Sequence, residues 1–251
     1  MRIVVVGASS GLGRCIGIGL AQRGAHVALL ARRKERLDTA ASEAGGGAVG
    51  IACDVTDAQS CDSAIGTAVR ELGGIDAMVY ATGMGPLARL VDTTAEMWER
   101  AFATNVTGAA LISRAALPAL IESHGTAVYL SSVSASLTPP WPGLGAYAVS
   151  KAALDKLVEA LRAEHPDVGF TRLVVGDCSG GTGDSLTEFA NDWDTKLAAE
   201  IMPDWAARGY LTGALIDVDH LVQVVDAIVR GGASMSLPSV TVAPRPAAPQ
   251  N

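Results

Sequence analysis

Short runs of β-branched and other apolar residues recur along this chain, and a longer amphipathic stretch separates each from the next. The runs lie at residues 3–6, 27–30, 49–52, 75–80, 126–130 and 168–175, with helix-periodic stretches around 12–23, 34–44, 58–72, 94–121 and 146–164. An apolar run of this length without a polar face suits a strand covered on both sides. Strands and helices alternating this often leave few packings. They predict right-handed βαβ units and an α/β fold, a doubly wound parallel sheet with helices on both faces. Asp57 ahead of Ala58, and Thr94 ahead of Glu96 and Met97, supply helix starts.

The 251 residues suit one large α/β domain. Charged residues make up 18%, below the roughly 25% of an average protein. Acidic residues outnumber basic ones, 26 to 19, for a net charge of −7. With no basic excess to grip phosphate backbones, nucleic acid is not the expected partner. No apolar run approaches the ~18–20 residues that span a bilayer, and the apolar stretch at 3–6 is too short for a secretory signal. A soluble, cytoplasmic protein is therefore expected. Cys15, Cys53, Cys61 and Cys178 form no C-x-x-C pair, and the four histidines lie far apart, so no metal site is predicted.

Beyond residue 176 the pattern loosens. Residues 179–213 read as a helical excursion over the carboxyl ends of the strands, either a substrate lid or a plain structural hairpin. A helix at 219–230 and a strand at 239–243 complete a domain of residues 1–243, and 244–251 is a Pro-rich tail.

The first strand runs into Gly7-Ala8-Ser9-Ser10-Gly11-Leu12-Gly13 and then a helix. Glycines placed so allow a sharp turn, close approach of backbone to a pyrophosphate and tight helix packing. The free N–H groups and positive dipole end of the helix would hold the phosphates. Gly7, Ser9, Ser10, Gly11, Leu12 and Gly13 are thus the candidate phosphate cradle. The second strand ends Ala31-Arg32-Arg33, where an NAD site would want a carboxylate for the ribose 2′-OH. A guanidinium matches a 2′-phosphate bidentately, so Arg32 first and Arg33 second predict NADP(H). Asp54 and Val55, after the third strand, are candidates for the adenine, with Asp54 accepting from its amino group.

Tyr147 and Lys151 stand four residues apart in the best helix of the second half, on one face. A free phenol titrates near 10, too high for efficient proton transfer at neutral pH. A nearby ammonium and a positively charged nicotinamide would both lower it.

With Thr104-Asn105-Val106 in a long helix and Ser131-Ser132 at a strand end, the glycine turn, Asn, Ser, Tyr and Lys follow one another in an order that resembles the short-chain dehydrogenase/reductase family. The resemblance covers nearly the whole chain. It implies a Rossmann-type seven-stranded sheet, a homodimer or homotetramer, and interconversion of a carbonyl and a secondary alcohol. By the same likeness Tyr147 is the general acid/base, Lys151 its modulator and Ser132 the hydroxyl that polarises the substrate oxygen, while Asn105 holds a proton-relay water. Gly83 would lie by the adenosine ribose, and Thr182 would bond the nicotinamide carboxamide.

The chain departs from the family in three informative places. Asn-Asn-Ala-Gly is replaced by Tyr80-Ala81-Thr82-Gly83. Ser132 precedes Tyr147 by two positions more than is common, which leaves Ser134 as a rival. Pro-Gly after the sixth strand becomes Asp177-Cys178. Trp141, Met84, Leu87, Leu186 and Phe189 are candidates to line an apolar substrate pocket. Two other readings stay open: a nucleotide-binding sensor or scaffold without turnover, and an epimerase or dehydratase.

Overall fold

Successive side chains of a strand point to opposite faces, so a strand with no polar position must be covered twice. In β1 (Arg2–Val6), Ile3 and Val5 join Ile16, Leu20 and Leu221 on one face, whereas Val4 and Val6 join Ile65, Ile112 and Leu154 on the other. The computed structural model describes residues 1–211 and 213–245. Of the predicted Pro-rich tail, residues 246–251 lie outside the described residues. The first face carries α1 (Gly11–Gln22), α2 (Lys34–Ala44) and α9 (Val218–Val229). The second carries α3 (Ala58–Leu72), α5 (Gly108–Ser123) and α7 (Gly145–Glu164).

The remaining strands are β2 (His26–Ala31), β3 (Val49–Ala52), β4 (Ala77–Tyr80), β5 (Thr126–Ser132), β6 (Gly169–Val175) and β7 (Ser239–Val242). All seven are parallel, in the order β3-β2-β1-β4-β5-β6-β7. This is the doubly wound Rossmann-type sheet expected from the alternation. Val6 pairs with Leu30 on one side and Tyr80 on the other. The winding reverses between β1 and β4, and their carboxyl ends open the crevice where such sheets bind ligands.

The two expected helix starts carry side-chain caps. Asp57 accepts from Ser60 N at 2.6 Å, and Thr94 accepts from Met97 N at 3.3 Å. The single helix expected over 94–121 is instead α4 (Ala95–Phe102), a π-turn at Ala103–Thr107, and α5. The wide turn pushes Asn105 inward, where it is fully buried.

The excursion at 179–213 is less helical than expected. Its described part holds one helix, α8 (Thr195–Ala207), and a single tight turn at Gly183–Ser185. Gly180 and Gly183 both take positive φ, +65° and +55°, which breaks helical continuity there. A bridge between Cys178 and Ile216 closes the base of the excursion. Its Ile201 and Trp205 pack with Leu87, Trp141 and Leu144 into a small third apolar cluster, beyond the carboxyl ends of the strands.

Candidate active site

The glycine turn after β1 is tight because it has no room for side chains. Gly7 sits at φ +90°, and a Cβ there would lie 2.5 Å from Thr82 Oγ1; at Gly13 it would lie 2.3 Å from Gly7 O. The turn therefore sets α1 hard against the sheet and aims its first N–H groups along the crevice. A cavity of about 1190 Å³ begins there, lined by Gly7, Ser9, Ser10, Gly11, Leu12 and Gly13. It continues past Arg32 and Arg33 at the tip of β2, then past Cys53, Asp54, Val55 and Thr56 after β3. Asp54 accepts from Thr56 N at 3.0 Å and Thr56 Oγ1 at 2.8 Å. These bonds, and the Arg32 charge, hold its carboxyl below the usual range. Arg33 donates to Ser9 Oγ and Ser10 Oγ, each at 2.9 Å, joining the strand tip to the glycine turn.

At its far end the cavity reaches Gly83, Ser132, Ser134, Tyr147 and Lys151, with Met84, Leu87, Trp141, Phe189 and Trp193 beyond them. Ser132 ends β5, and its hydroxyl lies near enough to the Tyr147 phenol to favour its ionised form. Ser134, in the short helix α6 (Val133–Ser136), lines the cavity as well, its hydroxyl 3.0 Å from that of Ser132. Tyr147 meets Phe189 edge-on, ring centres 4.9 Å apart. Lys151 Nζ donates to Leu130 O at 2.7 Å and stands 5.9 Å from the Tyr147 ring centre.

Burial governs both titrations. It pushes the phenol up to about 12, with the nearby Ser132 hydroxyl pulling the other way. It lowers the Lys151 ammonium to about 8, against the pull of Asp155. The expected acidic phenol called on the nicotinamide charge as well as Lys151, and in the protein alone burial dominates. Loss of water costs the phenolate more than the hydroxyl beside it returns, and the ammonium is turned to a main-chain carbonyl.

A family model for short chain dehydrogenases matches residues 1–194. The chain belongs to the short-chain dehydrogenase family. A short chain dehydrogenase of Pseudocercospora fijiensis is 38% identical over 172 residues, 66% of this chain and 55% of that protein. The chain thus spans little more than half the length of that relative. Among solved structures, an alcohol dehydrogenase from Thermococcus sibiricus, complexed with 5-hydroxy-NADP, superposes with a TM-score of 0.80. It is 23% identical, over 99% of this chain and 98% of that one. A 3-ketoacyl-(acyl-carrier-protein) reductase from Brucella melitensis, complexed with NADH, gives 0.78 at 23% identity over 96% of each. At that identity the two structures speak for the fold.

Within this short-chain dehydrogenase fold, most residues singled out from the sequence come together around one cavity. Thr182 does not. It is exposed and outside the cavity lining, because the Gly183–Ser185 turn folds back on it and Ser185 N donates to its carbonyl at 3.0 Å; Thr187 takes a place in the lining. Leu186 is likewise turned out, 58% exposed. Asn105 lies behind the cavity wall. Its amide donates to Met84 O and Ser150 Oγ, both at 2.8 Å, and its Oδ1 accepts from Met84 N at 2.9 Å. Both amide hydrogens being spent on protein, the side chain acts as a bracket between the loop after β4 and α7. Two residues were missed. Asp155, one turn past Lys151, supports that ammonium, a signal present in the i, i+4 spacing. Glu188, bonded to Arg33, left no local signal at all.

Proposed function

We propose that this chain is an NADP(H)-dependent oxidoreductase that interconverts a carbonyl and a secondary alcohol. The observation that carries the reading is that Tyr147, Lys151 one turn away and Ser132 line the same cavity as the glycine turn. The turn, crowded enough to reject a Cβ at Gly7 and Gly13, fits a pyrophosphate, and Arg32 and Arg33 fit a 2′-phosphate. Both NADP-type and NADH complexes occur among the structural relatives, so the cofactor preference rests on these two arginines.

When bound, the nicotinamide supplies or accepts the hydride at the substrate carbon. The chain's own groups manage the oxygen. Ser132 and Tyr147 donate hydrogen bonds to the charge that grows there, and Tyr147 passes its proton to it. Lys151 is one turn from the phenol and would bond the nicotinamide ribose. Asn105 positions the wall behind both. Met84, Leu87, Trp141 and Phe189 make the substrate end largely apolar, which favours a hydrophobic ketone, aldehyde or secondary alcohol. We also infer one catalytic domain over residues 1–243, acting in the cytoplasm as a homodimer or homotetramer.

Calorimetric titration with NADPH and NADH tests the cofactor, and a panel of apolar carbonyls with NADPH tests the reaction. NADPH is expected to bind at least about tenfold tighter, roughly 1.4 kcal/mol. Tyr147→Phe is expected to keep that affinity and lose about 10²–10⁴ in rate. A Tyr147→Phe protein with full turnover overturns the assignment of the acid/base, and a preference for NADH overturns that of the arginines.

A further inference from the structure

An anion of the protein's own already sits against Arg33. Glu188, in the segment between the Gly183–Ser185 turn and α8, lies 155 positions along the chain from that arginine, yet its carboxylate accepts from Arg33 Nη1 at 2.5 Å. The same carboxylate accepts from the Arg36 guanidinium and from Ser10 Oγ, the latter at 3.3 Å. Two guanidiniums and a hydroxyl of the glycine turn therefore converge on one carboxylate. Two residues earlier, Leu186 O accepts the Gly11 N–H at 3.2 Å, at the start of α1. The segment is pinned at its base by Arg14, a buried guanidinium that donates to Ser185 Oγ at 2.7 Å.

Guanidinium binds carboxylate and phosphate through the same planar donors, so one anion excludes the other from the same nitrogens. A nucleotide without a 2′-phosphate has no call on Arg33 and Arg36. A nucleotide with one can use Arg32 directly but gains Arg33 only in competition with Glu188. We propose that Glu188, held by Arg36, sets the discrimination between 2′-phosphorylated and unphosphorylated adenine nucleotides, as a resident carboxylate that competes with the 2′-phosphate for Arg33. This deepens the cofactor reading above and rests on it: the arginines attract the phosphate, and Glu188 limits how strongly.

Glu188→Gln keeps the size and polarity of the side chain and removes its charge. The test titrates wild type and E188Q calorimetrically with adenosine 2′,5′-bisphosphate and with 5′-AMP, which lacks only the 2′-phosphate. In E188Q the affinity ratio between the two is expected to grow by about tenfold, mostly through tighter binding of the bisphosphate. An unchanged ratio overturns the proposal, as does equal tightening of both nucleotides or failure of the bisphosphate to bind either protein. The wild-type ratio alone judges the arginines: if it is near one, the NADP(H) reading falls, while a ratio that rises in E188Q still supports the competition.

Discussion

Tyr147 and Lys151 lie one helical turn apart, and burial moves their titrations in opposite directions, the phenol up to about 12 and the ammonium down to about 8. Each shift favours the neutral form, the common signature of lost water. For Lys151 the consequence is measurable. Between its folded value of about 8 and its ordinary 10.5, the unfolded chain binds a proton that the folded chain has released, so the lysine's contribution to stability improves as pH rises through that window. Lys151→Met removes the buried charge. In urea denaturation K151M is expected to be the more stable protein at pH 7, with its advantage shrinking from pH 8 to 10.5. An advantage that stays flat across that window contradicts burial as the cause. Tyr147, raised above its ordinary value, acts in the opposite direction at higher pH in both proteins. The tyrosine–lysine spacing was legible in the sequence because a helix repeats locally. The direction of the phenol shift was not, because it depends on how completely Phe189 and the surrounding wall exclude water.

The π-turn at Ala103–Thr107 does for the site what a straight helix cannot. It turns Asn105 inward, where one side chain holds both polar main-chain atoms of Met84 and the hydroxyl of Ser150. Ser150 in turn donates to Tyr147 O at 2.8 Å, so the bracket reaches the backbone of the catalytic candidate itself. Asn105→Ala leaves these partners unsatisfied at about 1–3 kcal/mol for a buried group. A loss of that order in urea denaturation is expected, with weaker turnover and little change in nucleotide affinity. Unchanged stability would mean that water replaces the amide without cost. The sequence pointed to Asn105 through its place in an ordered set of residues, and to a helix through periodicity. The break in that helix was hidden, since a π-turn adds a single residue and leaves the apolar pattern almost intact.

Across the whole molecule, the sheet buries its middle strands completely while some apolar side chains remain outside. Leu90 is 62% exposed, Val91 91%, and Val149 on α7 47%. Apolar surface of this kind is what an interface covers. Light scattering is expected to return two or four times the 25.6 kDa of one chain, and Val91→Asp to shift it toward one. A monomer at working concentration overturns the expected assembly.

The alternation of strands with helices, the parallel sheet it makes, the glycine turn at the crevice and the spacing of Tyr147 and Lys151 were legible in the chain alone. All of these follow from backbone sterics and from periods of two and 3.6 residues, which act over a few neighbours. That Thr182 faces outward and that Glu188 lies on Arg33 and Arg36 came from the folded chain. Those outcomes depend on the path of a loop that Gly180 and Gly183 leave free to turn. Contacts between residues so far apart in the chain are chosen by packing and charge, not by any pattern local to either partner.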